Sequence, residues 1–277
     1  MARTNLDSTH VEARTPGLTT LHVLRRTQVS PSFVRVTLGG GDVADFVALG
    51  YDQWFRLFLP VSDTSLTRVP KKLTTLSYLK FLTVSKTDRP VLRNYTVRAY
   101  RADGADGPEL DVDFVVHGST EDGTAGPAAS WAQTCSPGDA VAVLDEGVCF
   151  NPPPGTSRVV LAADETGLPA VAGILGSLDV DAAGHVVVEV PTDGDRQDLD
   201  APAGIDITWV VRDDHAAVPG RAALAAVQAL ELPDEPAYAW VVGESGLVTG
   251  ARRHWVQAGL PKESITFVGY WKAGKAH

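Results

Sequence analysis

Residues 151–155 read Asn-Pro-Pro-Pro-Gly, and no other stretch of this 277-residue chain limits its fold as strongly. Consecutive prolines lack the N–H groups that a sheet ladder or a helix interior needs, and they stiffen whatever connection they occupy. A chain of this length already favours two cores over one. The run therefore predicts a domain boundary: one domain at 18–150, a linker at 151–155, and a second domain at 156–277.

The apolar pattern changes across that boundary. Before it, 21–24, 33–38, 53–59, 94–100, 111–117 and 140–144 are short runs rich in β-branched and aromatic residues. Turn signals such as Gly39-Gly40-Gly41-Asp42, Asp103-Gly104 and Ser136-Pro137-Gly138-Asp139 separate them. Many short strands with polar turns predict an antiparallel Greek-key β-barrel. Residues 61–90, with Pro70-Lys71-Lys72, show no clear period and are expected to leave the barrel as a functional or mobile loop. After the boundary, 158–163, 185–190, 207–211, 237–242 and 264–268 read as buried strands. They alternate with helices at 169–178, 221–230 and 250–257, the pattern of a mostly parallel α/β sheet covered on both faces. Residues 191–204 are too rich in Pro, Asp and Gly for a crossover helix, which thins one layer.

Charge and composition exclude several function classes. A formal net charge of -10 argues against nucleic acid or an anionic membrane as the main partner, and an anionic ligand would need a local basic patch. No apolar run approaches the ~20 residues that span a bilayer, and residues 1–17 lack the apolar core of a secretory signal. A soluble cytoplasmic protein, without membrane insertion and monomeric, is expected. Cys135 and Cys149 match no metal-ligand spacing and read as small buried residues. There is no zinc-protease helix motif, Walker loop, nucleophile elbow or iron–sulfur cysteine cluster. No metal site and no protein nucleophile are called for.

The run Arg93-Asn94-Tyr95-Thr96-Val97-Arg98 carries the first functional signal. On a strand, Arg93, Tyr95 and Val97 share one face. A guanidinium and a phenol two residues apart can meet a phosphate and the ring system attached to it; the same residues also read as an edge strand with a solvated arginine. On the next strand Val112, Phe114 and Val116 form the core face, with Asp113, Val115 and His117 opposite. Gly126-Pro127-Ala128-Ala129-Ser130 opens a helix with no acid in its first turn, leaving N–H groups open to a diphosphate or simply capping a short helix. Asp164-Glu165-Thr166 lies at a strand-to-helix turn, where carboxylates cap a helix well but repel phosphate. Gly243-Glu244-Ser245 ends a buried strand. Arg252-Arg253 sits on a helix, and Tyr270-Trp271 falls in a terminal segment that reads as a docked tail.

Taken in order, these motifs resemble the siderophore-interacting protein family, FAD-dependent ferric-siderophore reductases related to ferredoxin–NADP reductases. The resemblance rests on the 93–98 run, His117-Gly118, Gly126-Pro127-Ala128 with Trp131-Ala132, Pro137-Gly138-Asp139, Asp164-Glu165-Thr166 with Leu168-Pro169-Ala170, Gly243-Glu244-Ser245, Arg252-Arg253-His254 and Gly269-Tyr270-Trp271-Lys272. It implies hydride transfer from NAD(P)H to FAD, then single-electron reduction of the Fe(III) in a siderophore, the cofactor carrying the chemistry. It implies that Arg93 holds the FAD diphosphate, Tyr95 lies against the isoalloxazine, and Thr96 sits at its reactive edge. Val97, Asp113, Val115 and His117, with Gly126, Pro127, Ala128 and Ser130, would hold the rest of the dinucleotide. Glu165 and Thr166 would lie between flavin and nicotinamide, Gly243, Glu244 and Ser245 would border it, and Tyr270 with Trp271 would close the site. Cationic candidates for an anionic ferric chelate are Lys71, Lys72, Lys80, Arg252, Arg253, Lys272 and Lys275. NADH is expected over NADPH because Asp193, Asp195 and Asp198 would repel a 2′-phosphate, with Arg196 acting the other way. The chain departs from the family at Thr249, where many members carry a basic residue, and in its long 61–90 stretch. A general flavin reductase and a siderophore-binding module without FAD remain as alternatives at this stage.

Overall fold

The computed structural model describes residues 9–15, 17–118, 125–214, 216–233 and 235–274. The chain forms two compact units, Glu12–Val148 and Cys149–His277, with residues 9–11 belonging to the second.

The first unit is a seven-stranded antiparallel barrel sheet built from β1 (Leu18–Ser30), β2 (Phe33–Gly39), β3 (Trp54–Leu59), β4 (Val91–Thr96), β5 (Ala99–Gly104), β6 (Gly107–Val115) and β7 (Ala140–Asp145). Their order is β4-β3-β7-β1-β2-β6-β5. Strand β7, the last of the barrel strands, pairs with both β1 and β3, a non-sequential insertion of the Greek-key kind. Alternation sends Leu21, Val36, Phe55, Leu57, Val112 and Phe114 into one interior cluster. Helix α1 (Thr75–Leu82) lies within the 61–90 stretch, and α2 (Pro127–Thr134) precedes β7.

Two departures from the sequence pattern have local causes. The single strand expected over 94–100 breaks after Thr96. There Val97 N–H donates to Gln53 O while Arg98 N–H donates to Asp111 O, so the chain passes its pairing from β3 to β6. A hydrophobic period cannot register a change of partner when the side-chain alternation continues unbroken. The 61–90 stretch also holds an unforeseen helix. Thr74 caps it, exchanging hydrogen bonds with Ser77 in a capping box. Phe81 anchors it edge-on to Phe58, with ring centroids 5.7 Å apart.

Outside the barrel, three buried carboxylates on β6 are clamped by arginines. Arg25 grips Glu109 at 2.6 and 2.9 Å, Arg101 reaches Glu109 and Asp111, and Arg35 grips Asp113 at 2.6 and 2.8 Å. The Arg25 and Arg101 hydrogen bonds lower Glu109 from its ordinary 4.5 to about 2. A depressed carboxylate stabilises the fold fully above its unfolded value and loses that contribution as pH falls through its folded one. The melting temperature is therefore expected to fall between pH 4.5 and about 2. Glu109→Gln should lower the melting temperature at neutral pH and flatten that acid limb, which a pH series of thermal melts will read.

The second unit contains β8 (Arg158–Ala163), α3 (Leu168–Leu175), β9 (Ala183–Val190), β10 (Gly204–Val211), α4 (Arg221–Ala229), β11 (Ala237–Glu244), α5 (Ser245–Gln257) and β12 (Ile265–Trp271). The sheet is parallel, in the order β10-β9-β8-β11-β12. Val160, Ala162 and Val241 meet Ala223 and Val227 of α4 and Leu247, Ala251 and Trp255 of α5 in one apolar cluster. Between β9 and β10 only a 3-10 turn, Asp193–Asp195, replaces a crossover helix. The expected architecture, an antiparallel barrel followed by a mostly parallel α/β unit, is the one adopted. Two limits move: α5 begins at Ser245, with Glu244 as its cap, and Tyr270 and Trp271 are not a tail but the end of β12.

Candidate cofactor sites

In the barrel unit, β4, β6 and α2 meet through three aromatic rings. Tyr95 lies 4.3 Å from Phe114, and Phe114 lies 5.6 Å from Trp131, centroid to centroid. Tyr95 is half-buried, and burial pushes its phenol pKa up, so the hydroxyl stays protonated. Strand alternation sets the half-buried Arg93 on the face that carries Tyr95. Thr96 and Val97 are buried beside them.

Helix α2 starts at Gly126 with no capping side chain, Pro127 in its first turn, and no acid there. Among the described residues, nothing lies within 4 Å of the position a Gly126 Cβ would take. Ala128 packs inward, and the Ser130 hydroxyl donates to Ala125 O at 3.2 Å. A cation, a half-buried phenol two residues on, and an uncapped helix start free of carboxylates fit a flavin dinucleotide.

Asp113 does not belong with that group. Because Phe114 faces inward, Asp113 faces outward, where Arg35 holds it and Arg98 lies at 3.5 Å. Val115 shares this outer side of β6, and His117 lies exposed beyond the strand end. The carboxylate of Asp113, one of the residues expected at the cofactor, is thus part of the barrel's ionic clamp.

In the α/β unit, the buried Asp164 ties three strand ends together. It accepts from Thr166 N at 2.9 Å, Glu244 N at 2.7 Å and Trp271 Nε1 at 3.0 Å. Burial raises its pKa, and the neighbouring charge of Glu165 adds to the shift. Gly243 is required here: its φ is +121°, and a Cβ would lie 2.6 Å from the Asp164 carboxyl. Gly243→Ala is expected to cost about 1–3 kcal/mol through backbone strain and displacement of Asp164, which denaturant unfolding will measure.

The carboxylate of Glu165 is likewise held by an arginine. Fully buried, it receives Arg212 Nη2 at 2.8 Å and Nη1 at 3.1 Å, while Glu189 receives the same guanidinium at 2.8 Å. Glu189 also accepts Ala223 N–H, fastening α4 to β9. The Glu165 carboxylate is therefore committed to the interior, and Thr166 is the residue left at the rim, half-buried. Arg212 and Glu189 were missed in the sequence. Their only signal was a single charge closing or interrupting an otherwise apolar strand.

Glu244 is also committed, accepting Ala273 N–H at 3.1 Å and the Gly246 N–H. Ser245 Oγ donates to Trp271 O at 2.8 Å, and Tyr270 is half-buried on the same strand. Of the proposed cations, Arg253 and Lys272 line one groove of about 620 Å³ with Thr249 and His254. Arg252 instead stacks over Phe267, 4.7 Å from its ring centroid. Lys71, Lys72 and Lys80 are exposed in a segment anchored by Val69, Leu73 and Phe81 on Phe58 and Leu92, the sheet face opposite Tyr95. The structure thus separates them from the Arg93–Tyr95 face. Lys275 lies outside the described residues.

Two family models match the chain, a siderophore-interacting FAD-binding domain over residues 22–149 and a siderophore-interacting protein over 156–274. Over 274 residues the chain is 31% identical to the ferric vibriobactin reductase ViuB of Vibrio cholerae serotype O1, covering 97% of this chain and 93% of that one. The chain belongs to the siderophore-interacting protein family. An NADPH-dependent ferric-chelate reductase of Escherichia coli K12 is 27% identical, covering 91% of this chain and 92% of its own. A siderophore utilization protein from T. fusca superposes with a TM-score of 0.76 at 31% identity, covering 96% and 97% of the two chains. SipS, a siderophore-interacting protein from Aeromonas hydrophila, gives 0.73 at 29%, covering 95% and 94%. More distant is an Amycolatopsis cytochrome P450 reductase, GcoB, at 17% identity and a TM-score of 0.63, covering 93% of this chain and 71% of its own, which shares the fold. For this family member, the motifs that defined the resemblance fall on both units.

Proposed function

We propose that this chain is an FAD-dependent ferric-siderophore reductase driven by a nicotinamide, acting in the cytoplasm as a monomer. One observation carries the reading. The unit matched by the siderophore-interacting FAD-binding domain sets Arg93 and Tyr95 on one strand face and links Tyr95 through Phe114 to uncapped α2.

Bound FAD supplies the conversion of a two-electron hydride into one-electron steps, which a ferric ion, here the substrate, requires. The protein's part is to hold and orient. Arg93 and the α2 N–H groups would hold the diphosphate, the Tyr95 ring would lie against the flavin, and Thr96 would sit near its reactive edge. In the α/β unit, Thr166, Gly243 and Ser245 form the rim that takes the nicotinamide, kept in shape by Asp164 beneath them. Arg253 and Lys272 supply positive charge for an anionic chelate. None of these residues needs to act as a base or nucleophile.

The donor preference rests on fewer carboxylates than the sequence offered. Asp195 is buried and accepts Thr192 N–H, and Asp193 pairs with Arg196 at 3.0 Å. Asp198 and Asp200 remain exposed. A 2′-phosphate beside them is disfavoured, so kcat/KM is expected to be about tenfold higher for NADH than for NADPH. Equal values for the two donors would remove that preference.

The function itself is tested by trapping Fe(II) with a chromogenic chelator while following nicotinamide oxidation. The expected result is two Fe(II) for each nicotinamide, at a rate well above that of the same concentration of free FAD. A rate no faster than free FAD would reject the ferric-siderophore reading. Light scattering at assay concentrations tests the monomer.

A further inference from the structure

Helix α1 carries its polarity the wrong way round for a surface helix. Its inward anchor is Phe81, packed on Phe58, while Leu76 (81% exposed), Leu79 (55%) and Leu82 (43%) recur at three-residue spacing on the outward side, joined by Tyr78. A solvated helix ordinarily turns its apolar stripe to the core and its polar face to water. Here the outward stripe protrudes from the barrel surface, with no described part of the chain over it.

The charge around it is equally unusual. Residues 61–90 hold six Lys or Arg against two Asp, in a chain whose net charge is -10. Arg68, Lys71, Lys72, Lys80 and Lys86 are all exposed, flanking the leucines on both sides in the sequence. A row of exposed leucines on a helix, in a segment rich in exposed cationic side chains, matches the interface of an anionic bilayer. There the leucines enter the acyl boundary while the ammonium groups stay with the headgroups. An acidic chain would be repelled by such a surface everywhere else, so the local reversal of sign also selects the orientation.

We propose that α1 and its flanking lysines form a peripheral docking site for an anionic lipid surface. This does not depend on the reductase reading, because the leucine stripe lies on the sheet face opposite Arg93 and Tyr95. The contact is reversible: one eight-residue helix offers too little apolar area for permanent anchoring.

The test is co-sedimentation of the full-length protein with vesicles of equal parts phosphatidylglycerol and phosphatidylcholine, against pure phosphatidylcholine. Binding is expected only to the anionic vesicles, falling steeply as salt is raised. Leu76→Ser with Leu79→Ser should weaken it at least tenfold, and Arg68→Gln with Lys86→Gln severalfold. Both variants alter exposed side chains and should keep the wild-type melting temperature and ferric-reductase activity. Failure to bind the anionic vesicles overturns the proposal, as does binding that both variants leave unchanged. A concentration-dependent wild-type dimer that the serine variant abolishes also overturns it, assigning the leucines to a second copy of the chain.

Discussion

Replacing Arg212 by methionine is expected to destabilise the α/β unit by about 3–5 kcal/mol, the range for removing one partner from a buried ionic group. Glu165 and Glu189 are both fully buried and converge on this one guanidinium, which is only 6% exposed. Without it, two carboxylates share a buried site with no counter-charge, which is costly unless water enters. Denaturant unfolding measures the loss. Converting Glu165 and Glu189 to Gln in the Arg212→Met background should recover most of the stability, since no buried charge then lacks a partner. Loss that persists in the triple variant would mean that packing, not charge, is the main role of Arg212.

The second large effect concerns the barrel. Arg93→Ala is expected to weaken FAD binding by roughly 10- to 100-fold, the worth of a charge-assisted contact to phosphate. Arg93→Lys should recover only part, because an ammonium keeps the charge but not the planar fork. Tyr95→Ala removes a ring that packs on Phe114, and should both loosen FAD and shift its absorption bands, whereas Tyr95→Phe should preserve affinity. Titrating apoprotein with FAD and following flavin fluorescence measures all four variants. Unchanged affinity and spectrum in Arg93→Ala and Tyr95→Ala would remove both residues from the flavin site.

The two-part architecture was legible because apolar pattern reports burial directly. Period-two runs such as 33–38 belong to the barrel, whose strands send alternate side chains to its interior, and continuous runs such as 158–163 to the parallel sheet. What stayed hidden depends on pairing between distant residues. The strand through Arg93 and Tyr95 was readable, yet its break after Thr96 is set by Gln53 and Asp111, which a local period does not sense. Asp164 was read as a helix cap, and it does accept the Thr166 N–H. Glu165 looked equivalent to it, but Arg212, 47 residues further along, draws its carboxylate inward. Asp113 was expected at the cofactor and is instead clamped by an arginine 78 residues away. Helix α1 escaped notice because its apolar residues point both to the barrel and away from it, which blurs the helical period.

A single turnover decides whether this protein's FAD gives its electrons to a ferric siderophore. FAD-loaded protein is reduced with one equivalent of NADH under argon and mixed with ferric siderophore, while flavin absorbance and trapped Fe(II) are followed together. Rapid return of oxidised-flavin absorbance is expected, with two Fe(II) formed per FAD. Flavin that stays reduced in the presence of ferric siderophore, yet reoxidises at once when air is admitted, would mean that the siderophore is not the acceptor.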